Sequence, residues 1–131
     1  MKIMIVDDHR PSLSAMRQML SLMGSDCLGY ESPLSALSAF SGDRNGFDLV
    51  FTDYSMNEMN GVDFVMEIIT MRPEQHVVLM TGGKLPASHQ RLMEALHINV
   101  MMKPLDTAAL LSVVESGMSY KQEHAYQQAV K

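Results

Sequence analysis

The sequence predicts an α/β domain in which five short strands alternate with helices around a parallel sheet. Runs of three or four apolar residues recur along the chain, continuous rather than alternating, as strands covered on both faces require. Between them lie segments with apolar residues at helical spacing, opened by caps or proline and closed by glycine or proline. Such alternation implies parallel strands joined by right-handed crossovers.

The elements follow in order. Lys2 to Val6 is a buried strand that ends in two acids. Pro11 opens a helix, because its missing N–H costs nothing in the first turn. Leu13, Met16, Leu20 and Met23 then recur at helical spacing until Gly24. Cys27 to Tyr30 is a weaker second strand. Ser32-Pro33 reads as a hydroxyl N-cap followed by proline at the first helical position. In that helix Leu34, Leu37 and Phe40 are expected to face inward, up to Ser41-Gly42. Asp48 to Thr52 is the third strand, with Asp53 immediately beyond it. Met56 to Gly61 is a turn-rich loop, and Val62 to Met71 a helix that halts before Pro73. His76 to Met80 is the fourth strand, followed by Thr81-Gly82-Gly83, and Pro86 to Leu96 the fourth helix. Asn99 to Met102 is the fifth strand, and Asp106 N-caps a last helix through Leu110, Val113, Val114 and Gly117. Residues 1–118 are thus expected to form one domain. The polar stretch from 119 to 131 either extends the last helix or is a linker tail.

Composition limits the functions. The chain has 131 residues, 47% of them hydrophobic and 19% charged, a globular balance with a sizeable core. No apolar run is long enough to cross a bilayer or to serve as a signal peptide. The one cysteine, Cys27, excludes an intrachain disulfide and a cysteine metal cage. These features point to a cytoplasmic protein without a membrane partner. The net charge is −5, and the ten Lys and Arg are scattered, so direct nucleic-acid binding is not expected. The 14 methionines sit mostly at helix-core and strand positions and read as core rather than as a docking groove.

In an open parallel sheet, ligands bind beyond the carboxyl ends of the strands. Those ends carry Asp7 and Asp8 after the first strand, Asp53 after the third, Thr81 after the fourth and Lys103 after the fifth, with Pro104 behind it. Three close carboxylates repel one another, and a hard divalent cation relieves the repulsion. Oxygen ligands with room for water suit Mg²⁺, for which Mn²⁺ can substitute. Such a cluster can accept a phosphoryl group on one carboxylate. Asp53 would be the nucleophile, giving an acyl phosphate, while the metal and Lys103 offset charge on the transferring oxygens.

These residues carry a resemblance. Asp7-Asp8, Asp53 with the following Met56-Asn57-Glu58-Met59-Asn60-Gly61, Thr81-Gly82 and Lys103-Pro104 resemble the signature of bacterial two-component response-regulator receiver domains. The likeness runs from Lys2 to about Gly117, with each motif in order and at the correct strand end. It implies a flavodoxin-like (βα)₅ fold with strand order 2-1-3-4-5. It implies that Asp53 is the phospho-acceptor, Asp8 the direct metal carboxylate and Asp7 one that acts through water. The backbone carbonyl of Ser55 would complete the protein ligands. Thr81 and Lys103 would bond phosphoryl oxygens, and Pro104 matches a proline that is often cis. A histidine kinase or histidine phosphotransfer protein would be the donor. The domain would catalyse only its own phosphorylation and dephosphorylation. Output would pass through the face of the fourth helix, fifth strand and fifth helix, including Leu85, His89, Leu92, Val100 and Met101, to a homodimer or another partner. A chain opening on Met1 fits an N-terminal receiver better than one from a kinase's C-terminal end.

The sequence departs from the family pattern at three places. Asn57 stands where the family usually has proline, which is expected to loosen one turn. Val100 stands where an aromatic usually swings with the hydroxyl residue, so that route to the output surface is missing. Leu96-His97-Ile98 replaces the usual Gly-Ala after the fourth helix. Ser55 and Gly83, two residues beyond Asp53 and Thr81, are small and predict little shielding of an acyl phosphate from water. Gly82-Gly83 is either a plain flexible turn or a hinge. His9 reads as a polar residue at the helix entry rather than a ligand. His76, His89, His97 and His124 lack ligand spacing.

Two other functions compete. A receiver-like interaction module that works without phosphate is compatible with Val100 and would tolerate Asp53→Asn. An aspartyl-nucleophile phosphatase of the haloacid-dehalogenase type needs an Asp-x-Asp pair, which adjacent Asp7-Asp8 does not provide, and a substrate cap for which the chain has no length. Flavin binding is disfavoured, because acids occupy the loop where a phosphate would sit.

Overall fold

A computed structural model describes residues 1–117. Five parallel strands, β1 (Lys2–Val6), β2 (Asp26–Tyr30), β3 (Leu49–Asp53), β4 (Val77–Thr81) and β5 (Asn99–Met102), form one sheet in the order β2-β1-β3-β4-β5. The helices are α1 (Arg10–Leu22), α2 (Pro33–Gly42), α3 (Gly61–Met71) and α4 (Ala87–Ala95), and residues 107–117 are helical as α5. The tail expected over 119–131 lies outside the described residues.

The continuous apolar runs have the expected cause: both faces of the sheet are covered. Met4, Val6, Val50, Val77 and Leu79 pack with Ala36, Phe40, Val62, Phe64, Val65, Ile68 and Met93 from α2, α3 and α4. The alternate residues Ile3, Ile5, Leu49, Phe51, Val78 and Met80 pack with Leu13, Met16 and Leu20 of α1 and with Leu110, Val113 and Val114 of α5. Each fully buried side chain of this size stabilises the fold by about 1.5–3 kcal/mol. Met4, Met16, Met80 and Met93 are buried, so these methionines serve the core.

Local signals set the helix ends. Ser32 Oγ accepts the Ser35 N–H at 3.2 Å, and Asn60 Oδ1 accepts the Asp63 N–H at 2.9 Å. Asp106 Oδ1 accepts the Ala109 N–H at 2.6 Å, as expected of an N-cap. In α2 the expected face is corrected. Pro33, Ala36 and Phe40 are buried, Leu37 is half-buried and Leu34 is 53% exposed. One helix offers two overlapping apolar stripes, and the bulk of Phe40 selects the stripe that meets the sheet.

Two helices end in the same motif with different residues. At α1 the Ser25 N–H reaches Leu20 O at 3.1 Å, and the intervening Gly24 has φ +86°. At α4 the Ile98 N–H reaches Met93 O at 2.9 Å, and the left-handed position is filled by His97 at φ 56°. A side chain at this conformation costs about 1 kcal/mol relative to glycine. His97 is exposed. His97→Gly is therefore expected to stabilise the domain by about 0.5–1 kcal/mol, read as a raised urea midpoint with an unchanged slope.

Candidate functional site

Strand register assembles the site. Val6 pairs with Thr52, so Asp7, one residue on, lies beside Asp53. Asp53 pairs with Met80, which puts Thr81 next along that edge. Thr81 pairs with Met102, so Lys103 follows. The ladder continues past the strands, since the Asp7 N–H donates to Tyr30 O at 3.0 Å and the Lys103 N–H to Thr81 O at 2.7 Å. Asp53 and Thr81 are therefore the last residues of β3 and β4, one place inside the ends expected from the sequence.

Asp7, Asp8 and Asp53 each offer a carboxylate oxygen within 4.8 Å of the others. Lys103 Nζ lies 3.1 Å from Asp7 Oδ2 and 3.2 Å from Asp53 Oδ1. The ammonium thus spans the two buried acids, while Asp8 is half-buried at the mouth. Backbone groups hold each carboxylate. The His9 N–H donates to Asp7 Oδ1 at 2.9 Å, the Tyr54 N–H to Asp53 Oδ1 at 3.0 Å and the Asn57 N–H to Asp8 Oδ2 at 3.0 Å. Burial raises the Asp53 pKa above its ordinary 3.8; Lys103 opposes that rise and Asp7 adds to it. Burial works to lower the Lys103 pKa, but the Asp7 hydrogen bond and the charges of Asp53 and Asp7 outweigh it, and the net is a rise above 10.5. Lys103 is thus held as a cation beside a carboxylate that burial disfavours as an anion. Three hard oxygen donors around one point suit Mg²⁺ or Mn²⁺ better than a softer metal.

The other expected residues take these places. Thr81 is buried, but its hydroxyl donates to Gly83 O at 2.8 Å and accepts the Gly83 N–H at 3.3 Å. It therefore closes a local turn and makes no hydrogen bond to the acids. Gly82 is exposed with open space around it. Ser55 is exposed in the loop after β3. The Lys103–Pro104 peptide bond is cis. Val100 is half-buried against the α2–α4 side of the core. His9 occupies the N-cap position of α1 without capping it, and its Nδ1 lies 2.7 Å from Ser12 Oγ.

Two expectations change. Asn57 does more than loosen a turn: its N–H, which proline would lack, ties the loop to Asp8. Leu85 is only 4% exposed and belongs to the core, so it leaves the α4-β5-α5 surface, where Met102 and Leu111 are 57% and 42% exposed. Sequence reasoning also missed Tyr54, whose hydroxyl meets His89 Nδ1 at 2.8 Å. An aromatic directly after Asp53 was the available signal.

Comparison with known proteins agrees with this geometry. The chain matches the family model described as "Response regulator receiver domain" over residues 3–115. It is 27% identical over 117 residues to the DNA-binding transcriptional regulator NtrC of Azospirillum brasilense, covering 89% of this chain and 24% of that protein. It is 30% identical over 116 residues to the response regulator protein FleR of Pseudomonas aeruginosa, covering 86% of this chain and 24% of that protein. The chain thus spans about a quarter of the length of these relatives. Among solved structures, a CheY-like receiver domain protein from Methanospirillum hungatei has a TM-score of 0.83 at 20% identity, covering 94% of this chain and 97% of that one. A receiver domain protein from Clostridium thermocellum has a TM-score of 0.81 at 24% identity, covering 92% and 96%. These two likenesses carry the fold, and the family match carries the membership: this chain belongs to the response regulator receiver domains of two-component signal transduction.

Proposed function

We propose that Asp53 is the phospho-acceptor of this receiver, with Mg²⁺ bound by Asp7, Asp8, Asp53 and the Ser55 carbonyl. The observation that carries the reading is the convergence of three carboxylates within 4.8 Å, two of them spanned by Lys103. An Asp53 carboxylate oxygen attacks the phosphorus of a phosphohistidine. The P–O bond forms as the P–N bond breaks, and the electron pair stays on the donor's nitrogen. The metal, when bound, supplies charge for the phosphoryl oxygens and relieves the repulsion among the acids. Lys103 is held within reach of Asp53 and pairs with a phosphoryl oxygen once the carboxylate charge has moved outward. Thr81 bonds another phosphoryl oxygen after its hydroxyl leaves Gly83. Water attack on the same phosphorus reverses the modification.

The donor in this reading is a histidine kinase or histidine phosphotransfer protein, and the compartment is the cytoplasm. No helix among the described residues is long and apolar enough to cross a membrane. The output is a changed α4-β5-α5 surface, on which exposed Met102 and Leu111 supply apolar area for a second copy or an effector. The deciding experiment is Mg²⁺-dependent modification by acetyl phosphate, read by intact mass, with size-exclusion chromatography of the same samples. One phosphoryl group, absent without metal, is the expected result. A metal-loaded protein that takes up none favours an interaction module that works without phosphate.

The Asn57 amide gives a second prediction. Groups that orient a metal carboxylate contribute about 10–100-fold to affinity. Asn57→Pro removes the N–H that holds Asp8 and is expected to weaken Mn²⁺ binding by about tenfold, measured from the free-ion electron paramagnetic resonance signal. Asn57→Ala keeps the N–H and is expected to bind as the wild type does.

A further inference from the structure

Tyr54 joins the acceptor to α4 through three groups. Its N–H donates to Asp53 Oδ1 at 3.0 Å and to Met80 O at 2.8 Å. Its carbonyl accepts the Gly61 N–H at 2.7 Å, which fixes its backbone between β3 and α3. Its side chain reaches the first turn of α4, where the hydroxyl lies 2.8 Å from His89 Nδ1 and the rings meet edge to face at 5.7 Å. A single residue therefore touches the carboxylate that is modified and the helix that borders the output surface.

Apart from buried Leu85, just before its N-cap, the first turn of α4 has few other ties. Its N-cap is Pro86, which offers no side-chain hydrogen bond. The preceding Gly82, Gly83 and Lys84 are exposed, with open space around both glycines. Met93, near the far end, is the helix's one buried residue. Among the described residues, the His89–Tyr54 bond is the one side-chain hydrogen bond from α4 to another element. Val100, on the neighbouring strand, has no polar atom with which to take this part.

We propose that the Tyr54–His89 pair is the conformational latch of this receiver: it holds the first turn of α4 while Asp53 is a free carboxylate and releases it when Asp53 is phosphorylated. The proposal rests on the reading of Asp53 as acceptor. In the unmodified protein, Asp53 Oδ1 accepts both the Tyr54 N–H and Lys103 Nζ. Acylation moves the negative charge outward onto the phosphoryl oxygens, and Lys103 follows it. The Tyr54 amide loses its anionic acceptor, so the interaction that seats Tyr54 weakens and the phenol leaves His89. The Gly82–Gly83 segment then acts as the hinge: a Cβ at either glycine would meet open space, and the Thr81 hydroxyl that holds Gly83 leaves it for the phosphoryl group.

The test is hydrogen–deuterium exchange of the segment spanning 84–95, with and without Mg²⁺ and acetyl phosphate, and with intact mass taken on every sample. Tyr54→Phe keeps the ring and the backbone N–H and removes only the hydroxyl. In the wild type, phosphorylation is expected to speed exchange in the first turn of α4 by roughly three- to tenfold, the range that one net hydrogen bond supplies. Unmodified Tyr54→Phe and His89→Leu are both expected to exchange already at the phosphorylated wild-type rate, and to gain less than about twofold on modification. Wild-type exchange in unmodified Tyr54→Phe would overturn the latch, as would a confirmed adduct that leaves α4 unchanged in the wild type. A missing adduct is a different failure: the acceptor reading falls, and the latch falls with it.

Discussion

Asp53→Asn is expected to take up no phosphoryl group from acetyl phosphate under conditions in which the wild type is modified once. The amide is isosteric, so it keeps the Tyr54 contact to Oδ1 and the packing at the end of β3. It lacks the anionic oxygen that attacks phosphorus in the proposed reaction, and no neighbouring group replaces it. Asp7 is fully buried and engaged with Lys103 and the His9 N–H, and Asp8 is held by Asn57. Intact mass spectrometry checks the result. Modification of Asp53→Asn at the wild-type rate would move the acceptor elsewhere.

The same variant has an opposite effect on metal-free stability. Burial first, then the Asp7 charge, raises the Asp53 pKa against the pull of Lys103. A carboxyl with a raised folded pKa binds its proton more tightly when folded. Its ionisation therefore costs stability as pH rises from 3.8 through the raised value. Asp53→Asn removes that cost and is expected to be more stable than the wild type in EDTA at pH 7. The gap narrows as pH falls toward 3.8. On the proposed Mg²⁺ site, added Mg²⁺ is expected to reverse the comparison, because it would stabilise the intact acid cluster more than the variant. Thermal melts with EDTA and with Mg²⁺ separate the two contributions.

Gly61→Ala is expected to destabilise the domain by about 3 kcal/mol or more and to slow phosphoryl uptake as well. Gly61 opens α3 directly against the end of β3. A Cβ there would meet the Asp53 carbonyl oxygen, Leu79 Cδ1 at 2.5 Å and Tyr54 Cα at 2.8 Å. Two of the three atoms are backbone, so they cannot step aside as the tip of a side chain could. The Gly61 N–H also donates to Tyr54 O at 2.7 Å, which fixes the close approach. Relief of the clash would shift Asp53 itself, and that links the stability loss to the chemistry. Gly42→Ala is the control. Its Cβ meets nothing within 4 Å at the last residue of α2, and the change is expected to be neutral or stabilising by up to about 1 kcal/mol. Urea unfolding gives both values. A Gly61→Ala loss no larger than that of an ordinary surface substitution would show that α3 can withdraw from β3.

The element order and the acid cluster were legible in the sequence for local reasons. Short continuous apolar runs occur where a strand is covered on both faces, and Ser32-Pro33, Gly24 and Asp106 mark helix ends by backbone chemistry that needs no tertiary partner. The rule that parallel strands present their carboxyl ends to ligands then brought Asp7, Asp8, Asp53 and Lys103 to one edge. The inward face of α2 was misread because Leu34 and Phe40 define competing stripes, and only the shape of the sheet chooses between them. Leu85 was expected on the output face, yet the loop before α4 folds it into the core with Val62, Phe64 and Met93.

What the amino-acid sequence determined by itself was the alternation of strands and helices, the residues at each strand end and the charge they bring together. Those depend on periodicity and residue type, which are properties of the chain. Tertiary structure alone decided how the residues are held: Lys103 between Asp7 and Asp53, Asn57 on Asp8, Thr81 turned to Gly83 and Tyr54 on His89. Each of these is a directional contact of about 3 Å between atoms whose separation is set by strand register, loop path and helix position. A hydrogen bond falls off steeply with distance and angle, so it is fixed only when the elements that carry its two ends have docked.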